Sequence, residues 1–207
     1  TIATKEWGWV ESNPVTNVMK PKEPKGRVRY LKEGERDRLL EACAESRSPH
    51  LYPAVVIALW TGMRRGEILG LRWEDVDFER SRVTLHDTKN AERRVVPMVG
   101  PALDALINHR TLRSGPRDLV FPAQSDPRQP ADIRNAWESA VKRAELENFR
   151  FHDLRHTAAS YLAMSGASLA EIAEVLGHKT LSMVKRYAHL SEGHTASVME
   201  RMVGKFT

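Results

Sequence analysis

The 207-residue chain holds a single cysteine, Cys43. One cysteine excludes an intramolecular disulfide and any zinc site of the Cys-x-x-Cys type, and it fits a reducing compartment. Long apolar runs are also missing. The longest, near Ala54 to Trp60, is far too short to span a bilayer, so no membrane partner is expected. The start of the chain lacks the succession of basic, apolar and small residues that makes a secretory signal. Its first residue is Thr1 rather than Met, which leads us to expect a processed or shortened chain. Internal repeats and low-complexity tracts are absent as well.

What is present is an ordinary apolar share, 41%, and an excess of basic over acidic residues that gives a formal charge of +5. The first supports a real core. The second suits a polyanionic partner without proving one. The distribution is more informative. Lys20, Lys22, Lys25, Arg27 and Arg29 crowd one proline-containing segment, with Glu23 its only acid. Such a segment is either a solvated linker or a basic strap across a phosphate backbone.

Residues 1–19 carry Trp7, Trp9 and Val10, too few to form a core alone, and look like the tail of a preceding domain. Pro21 and Pro24 then break regular structure. Apolar spacing predicts helices over 34–44, 51–60, 64–71, 101–110, 131–145, 153–164 and 169–176. The last has Ser168 at its cap, Glu171 three residues on and Gly177 past its end. The period changes at Arg82 to His86 and at Arg94 to Met98, which reads as an antiparallel hairpin around DTKNAER. Residues 114–130 read mostly as loop. The fold class is therefore mostly α with a small antiparallel sheet near residues 73–98.

Several polar groups are poised between structural and chemical roles. His152 and Arg155 are three apart at a helix start and share a face. His152 and His156 have the i, i+4 spacing of metal ligands, but no glutamate stands between them as in a zinc protease helix. A structural His156 near the helix start is the default. Arg64 follows the break at Gly62, and Glu67 lies three residues on. The two could be a surface ion pair, or an arginine aimed at a phosphate. Lys89 in the hairpin tip is by itself an ordinary solvent-facing lysine.

Taken in order, TGMRRGE, TKNAERRVVP, HDLRHT, LGHKT and RYAHL resemble the tyrosine recombinases, or phage-type integrases, over about Tyr30 to Leu190. The resemblance implies that family's catalytic-domain fold. It makes Arg64 and Arg155 the catalytic arginines, Lys89 the hairpin lysine, His152 and His178 the histidines, and Tyr187 the nucleophile. It implies double-stranded DNA as substrate, a homotetramer on synapsed DNA, accessory directionality factors, and no cofactor. Two departures stand out. Lys32 occupies a helix cap where the family often has Thr or Ser, a loss of about 1 kcal/mol. Only residues 1–19 stand where a DNA-binding domain precedes, with 20–29 as linker.

The implied chemistry is attack of tyrosine on a phosphodiester, a 3′-phosphotyrosine link, and reversal by another 5′-hydroxyl. A free phenol with a pKa of about 10 is ionised at roughly one part in a thousand at pH 7, a deficit of roughly 4 kcal/mol. Cations and a proton acceptor must supply it. Arginines can fork onto two phosphate oxygens, His152 can accept the phenol's proton, and Lys89 suits a general acid. Tyr52 and Tyr161 fall in apolar patterns and are expected in the core, whereas Tyr187 lies in a charged stretch. The tail, 191–207, places Val198, Met199, Met202, Val203 and Phe206 on one helical face. It would either fold onto its own domain or dock on a neighbouring subunit. Other readings are a Xer-type resolvase of the same chemistry, a catalytically idle DNA-binding regulator, and a histidine-dependent metal hydrolase.

Overall fold

The computed structural model describes residues 2–19, 28–86, 93–110, 115, 117–191, 199–200 and 202–206. In chain order the described elements are α1 (Ile2–Lys5), α2 (Glu33–Ala44), α3 (Leu51–Thr61), α4 (Arg65–Leu69), β1 (Val76–Asp77), β2 (Arg82–Leu85), β3 (Arg94–Pro97), α5 (Pro101–His109), α6 (Arg134–Arg143), α7 (Asp153–Met164) and α8 (Leu169–Leu176). Mostly helical with one small sheet, this matches the class read from the sequence.

Helix α3 is the hub. Leu51, Ala54, Val55, Val56, Ile57, Ala58 and Leu59 are all buried, and a helix this apolar must be covered over most of its circumference; only Tyr52 and Trp60 reach solvent. It packs against α2, α5 and α7. Each fully buried Leu or Ile here stabilises by about 1.5–3 kcal/mol. The sheet is antiparallel in the order β1-β2-β3, with Val83 facing both Val76 and Val96. Val83, Leu85 and Val96 bury one face of it.

Two local differences from the sequence reading have simple causes. The segment read as loop contains a buried stretch, Leu119 to Phe121. It pairs with the chain after α4: Val120 N–H donates to the Leu71 carbonyl at 2.7 Å, and Trp73 N–H to Asp118 at 3.1 Å. The helix expected from residue 131 starts at Arg134, because Asp132 Oδ1 accepts the Arg134 N–H at 2.9 Å and holds the chain in a turn.

A second apolar cluster joins α7, α8 and the 3-10 turn Lys185–Ser191. The chain approaching α2 is pinned to α7: Leu31 N–H donates to Thr157 Oγ1 at 3.1 Å, and Tyr161 Oη donates to the Leu31 carbonyl at 3.0 Å. At the chain's ends, Trp7 and Trp9 are 56% and 74% exposed, and Met199, Met202, Val203 and Phe206 are exposed too.

Candidate active site

Helix α3 stops at Gly62, a left-handed residue with φ 65°. A side chain there would place its Cβ 2.4 Å from Leu176 Cδ2, so glycine allows both the turn and the close approach of α8. The chain then extends to Arg64, the cap of α4. A cation at a helix start opposes the helix dipole. Glu67 offsets it: Oε2 accepts the Arg64 backbone N–H at 2.8 Å, and Oε1 accepts from Nη1 at 2.7 Å.

The pair is no surface ornament. The Glu67 side chain is 7% exposed and also takes Arg94 Nη2 at 2.9 Å. Arg94, from β3, was not singled out by the sequence. One carboxylate thus carries two guanidiniums. Burial pushes the Glu67 carboxyl up. The Arg64 hydrogen bonds and the charges of Arg94 and Arg64 outweigh that, and hold it below the usual carboxylate range.

Arg155 is 3% exposed. Its Nη1 donates to the Gly62 carbonyl at 2.7 Å and its Nη2 to the Leu176 carbonyl at 2.5 Å. The forked guanidinium therefore ties the end of α3 to the end of α8, as a lysine could not. Burial and then the charges of Arg64 and Arg94 lower it to about 10, still cationic at neutral pH. Arg64, Arg155 and His152, three of the residues chosen from the sequence, line one cavity of about 430 Å³. Arg65 and Arg150 complete its charged lining, which holds no carboxylate among the described residues. Four guanidiniums in its lining give the cavity a positive local field.

His178 follows Gly177, whose left-handed φ of 64° ends α8. The His178 N–H reaches back to the Ala173 carbonyl at 2.8 Å. Arg94 braces this turn from outside. Its Nη1 donates to the Val175 carbonyl at 2.6 Å, and its Cδ lies where a Gly177 Cβ would come within 2.7 Å. Burial, then the cations Arg155, Arg64, Arg186 and Arg94, lower His178 to about 4, so it is neutral at physiological pH. Its Nδ1 is buried without a hydrogen-bond partner among the described residues.

Tyr187 lies in a charged stretch of sequence but in apolar surroundings in the fold. It is 2% exposed, packed among Ala159, Ile172, Leu176 and Val184, while Tyr52 is 42% exposed. The charged neighbours Lys185 and Arg186 face solvent, and Val184 and Tyr187, three apart, turn inward. Only the phenol's tip meets a polar group. Tyr187 Oη lies 2.5 Å from His156 Nδ1. His156, read from the sequence as structural, stands one turn from His152, ring against ring at 5.2 Å. Burial raises the Tyr187 phenol, against the charges of Arg186 and Arg155. Burial and then the charge of His152 lower His156 to about 4.

Lys89 and the basic residues Lys20, Lys22, Lys25 and Arg27 lie outside the described residues. Arg29 is committed within the fold. It pairs with Glu35 at 2.5 Å and lies over the Phe149 ring at 5.4 Å. Glu35 also accepts the Lys32 N–H at 2.9 Å, which supplies the half of a capping box that does not depend on the Lys32 side chain. Among the described residues no three His, Cys, Asp or Glu side chains meet in a group that could hold a metal ion. No described helix is long and apolar enough to cross a membrane.

Of the residues chosen from the sequence, Arg64, His152 and Arg155 line the cavity, whereas His178 and Tyr187 are not in its lining. The chain matches known proteins over most of its length. The chain belongs to the phage integrase family, whose family model matches residues 29–194. It is 36% identical over 200 residues to the shufflon-specific DNA recombinase of Escherichia coli, covering 96% of this chain and 50% of that protein. Among solved structures, the catalytic domain of bacteriophage HP1 integrase is 32% identical, with a TM-score of 0.66 over 84% of this chain and 95% of that one. XerA recombinase is 26% identical, with a TM-score of 0.68 over 89% and 67%. The fold is thus that of a tyrosine recombinase catalytic domain. The chain spans about half the length of the curated relatives it matches.

Proposed function

We propose that this chain is the catalytic part of a site-specific DNA recombinase that cleaves and rejoins DNA through a 3′-phosphotyrosine at Tyr187. The observation that carries the reading is the cavity of about 430 Å³ lined by Arg64, Arg65, Arg150, His152 and Arg155, with no carboxylate among the described residues of its lining. A phosphodiester held there meets donors placed before the reaction begins, and they bind more strongly as charge builds on the pentacoordinate phosphorus. Arg64 and Arg155 hold the non-bridging oxygens. His152 and His178, both neutral, donate further hydrogen bonds. Lys89 protonates the leaving 5′-oxygen. The covalent link conserves the energy of the broken bond, so the reaction takes neither metal nor ATP.

Tyr187 attacks only after the Lys185–Ser191 turn loosens its cover, because a side chain 2% exposed cannot meet a duplex. DNA and neighbouring subunits in a tetramer supply that push, with 191–207 docking on the next subunit. Residues 1–19 end a DNA-binding domain, and 20–29 form a basic linker in which Lys20, Lys22, Lys25 and Arg27 follow the phosphate backbone. Arg29, held by Glu35, adds to that field. The role is integration or excision of a phage or mobile element at the bacterial nucleoid, assisted by directionality factors. Resolution of Xer type uses the same chemistry.

A nicked suicide DNA substrate in EDTA tests the reading. A covalent adduct that survives SDS, formed by wild type and absent in Tyr187→Phe, supports it. A chelator-sensitive nick without adduct points to a hydrolase, and a shifted but uncut duplex to a regulator.

A further inference from the structure

Among the described residues the hydrogen-bond partner of Tyr187 Oη is a histidine, and it is not the one expected from the sequence. His156 Nδ1 stands 2.5 Å away. His152 instead lines the anion cavity, edge-on to the His156 ring. The two imidazoles sit one turn apart on α7, and Arg155 precedes His156 directly. We infer that His156 is a further catalytic residue, which holds the Tyr187 hydroxyl and takes its proton as the tyrosine attacks, leaving His152 to the phosphate.

The inference rests on the function proposed above. In the step, Tyr187 Oη forms a bond to phosphorus and its proton passes to His156 Nδ1. The bond from phosphorus to the 5′-oxygen breaks, and that oxygen takes a proton from Lys89. Rejoining runs the same way backwards: the incoming 5′-hydroxyl returns a proton to Lys89, and the departing tyrosine recovers its own from His156. Protons and electron pairs balance without a further reactant.

The surroundings keep the proton on the tyrosine until DNA arrives. His156 is lowered by burial, then by His152, Arg186 and Arg155, with Asp153 acting the other way. The phenol is raised. At rest, therefore, Tyr187 donates and His156 accepts. A phosphodiester in the arginine-lined cavity brings negative charge close to those cations and lifts the imidazole's affinity for a proton. Proton transfer is thereby tied to occupancy of the site.

The test uses the full-length protein and two nicked suicide substrates, one with the natural 5′-oxygen and one with sulfur at that bridging position. A sulfur leaving group needs no proton. Lys89→Ala should be slow on oxygen and recover on sulfur. His156→Asn keeps an acceptor near Nδ1 but cannot take a proton. Its single-turnover adduct rate should fall about a hundredfold or more on both substrates, with unchanged DNA affinity and melting temperature. A rate within threefold of wild type, recovery on sulfur, or faster cleavage would overturn the inference; faster cleavage would make His156 a mere restraint on the tyrosine. Should the variant misfold, wild type decides. On the sulfur substrate the phenol's proton is the one left in flight, so cleavage should slow in D2O, and equal rates would refute the transfer. If wild type itself forms no adduct at Tyr187, it is the function that fails and not this assignment.

Discussion

Replacing Glu67 by glutamine removes one negative charge and almost no volume. In the native fold that carboxylate meets two guanidiniums at 2.7 and 2.9 Å. Its side chain is 7% exposed, against 12% for Arg94 and 28% for Arg64. Removing one partner of a buried ion pair costs about 3–5 kcal/mol. Arg64 keeps access to water, so the lower end, about 3 kcal/mol, applies. At about 2–4 °C per kcal/mol for a domain of this size, the melting temperature should fall by roughly 6–12 °C. The sign of the pH dependence follows from the depressed carboxyl. Its contribution is fully present above its ordinary value of 4.5 and is lost as pH falls from there toward the folded value. Thermal melts of wild type and Glu67→Gln should therefore differ most near pH 7 and converge in acid. A shift below about 2 °C at pH 7, or a gap that widens in acid, would show that Glu67 is not the charge anchor of the site.

Other consequences follow from the same geometry. Gly62→Ala meets both a left-handed backbone and Leu176 Cδ2 at 2.4 Å. It should lose about 2–4 kcal/mol, read as a lower denaturation midpoint. Arg155→Lys replaces two separated donor nitrogens, on the Gly62 and Leu176 carbonyls, with a single one, so it should lose about 1–3 kcal/mol as well as adduct formation; a fully stable variant would contradict the clamp. His109, His156 and His178 are each lowered to about 4, first of all by burial. The unfolded chain protonates them near 6.5 and the folded chain only near 4, so stability should fall as pH drops from 6.5 toward 4 and stay flat above. Denaturation midpoints that do not change between pH 6.5 and 5 would refute this.

Much of the framework was legible because its signals are local. The 3.6-residue spacing marked α2, α3 and α8, and the Arg64–Glu67 pair is an i, i+3 contact that a sequence displays. Arg94 was missed because its partners are remote, Glu67 at 27 residues and Val175 at 81. A strand arginine before VVP carries no local mark of either. The burial of Tyr187 is not legible from its immediate neighbours, because the charged Lys185 and Arg186 precede it. The usable signal was Val184, three residues before it, which places both on the inner face of a tight helix. His156 had an alternative role suggested by its spacing from His152, but only the folded turn brings Tyr187, 31 residues on, to its ring.

The central claim is that this cavity delivers a DNA phosphate to Tyr187. Peptide mapping of the trapped adduct tests it most directly. Trypsin cuts after Arg186 and next after Arg201, so mass spectrometry should find the nucleotide on the peptide that begins at Tyr187. Nucleotide on any other peptide, or none in wild type, would contradict the account.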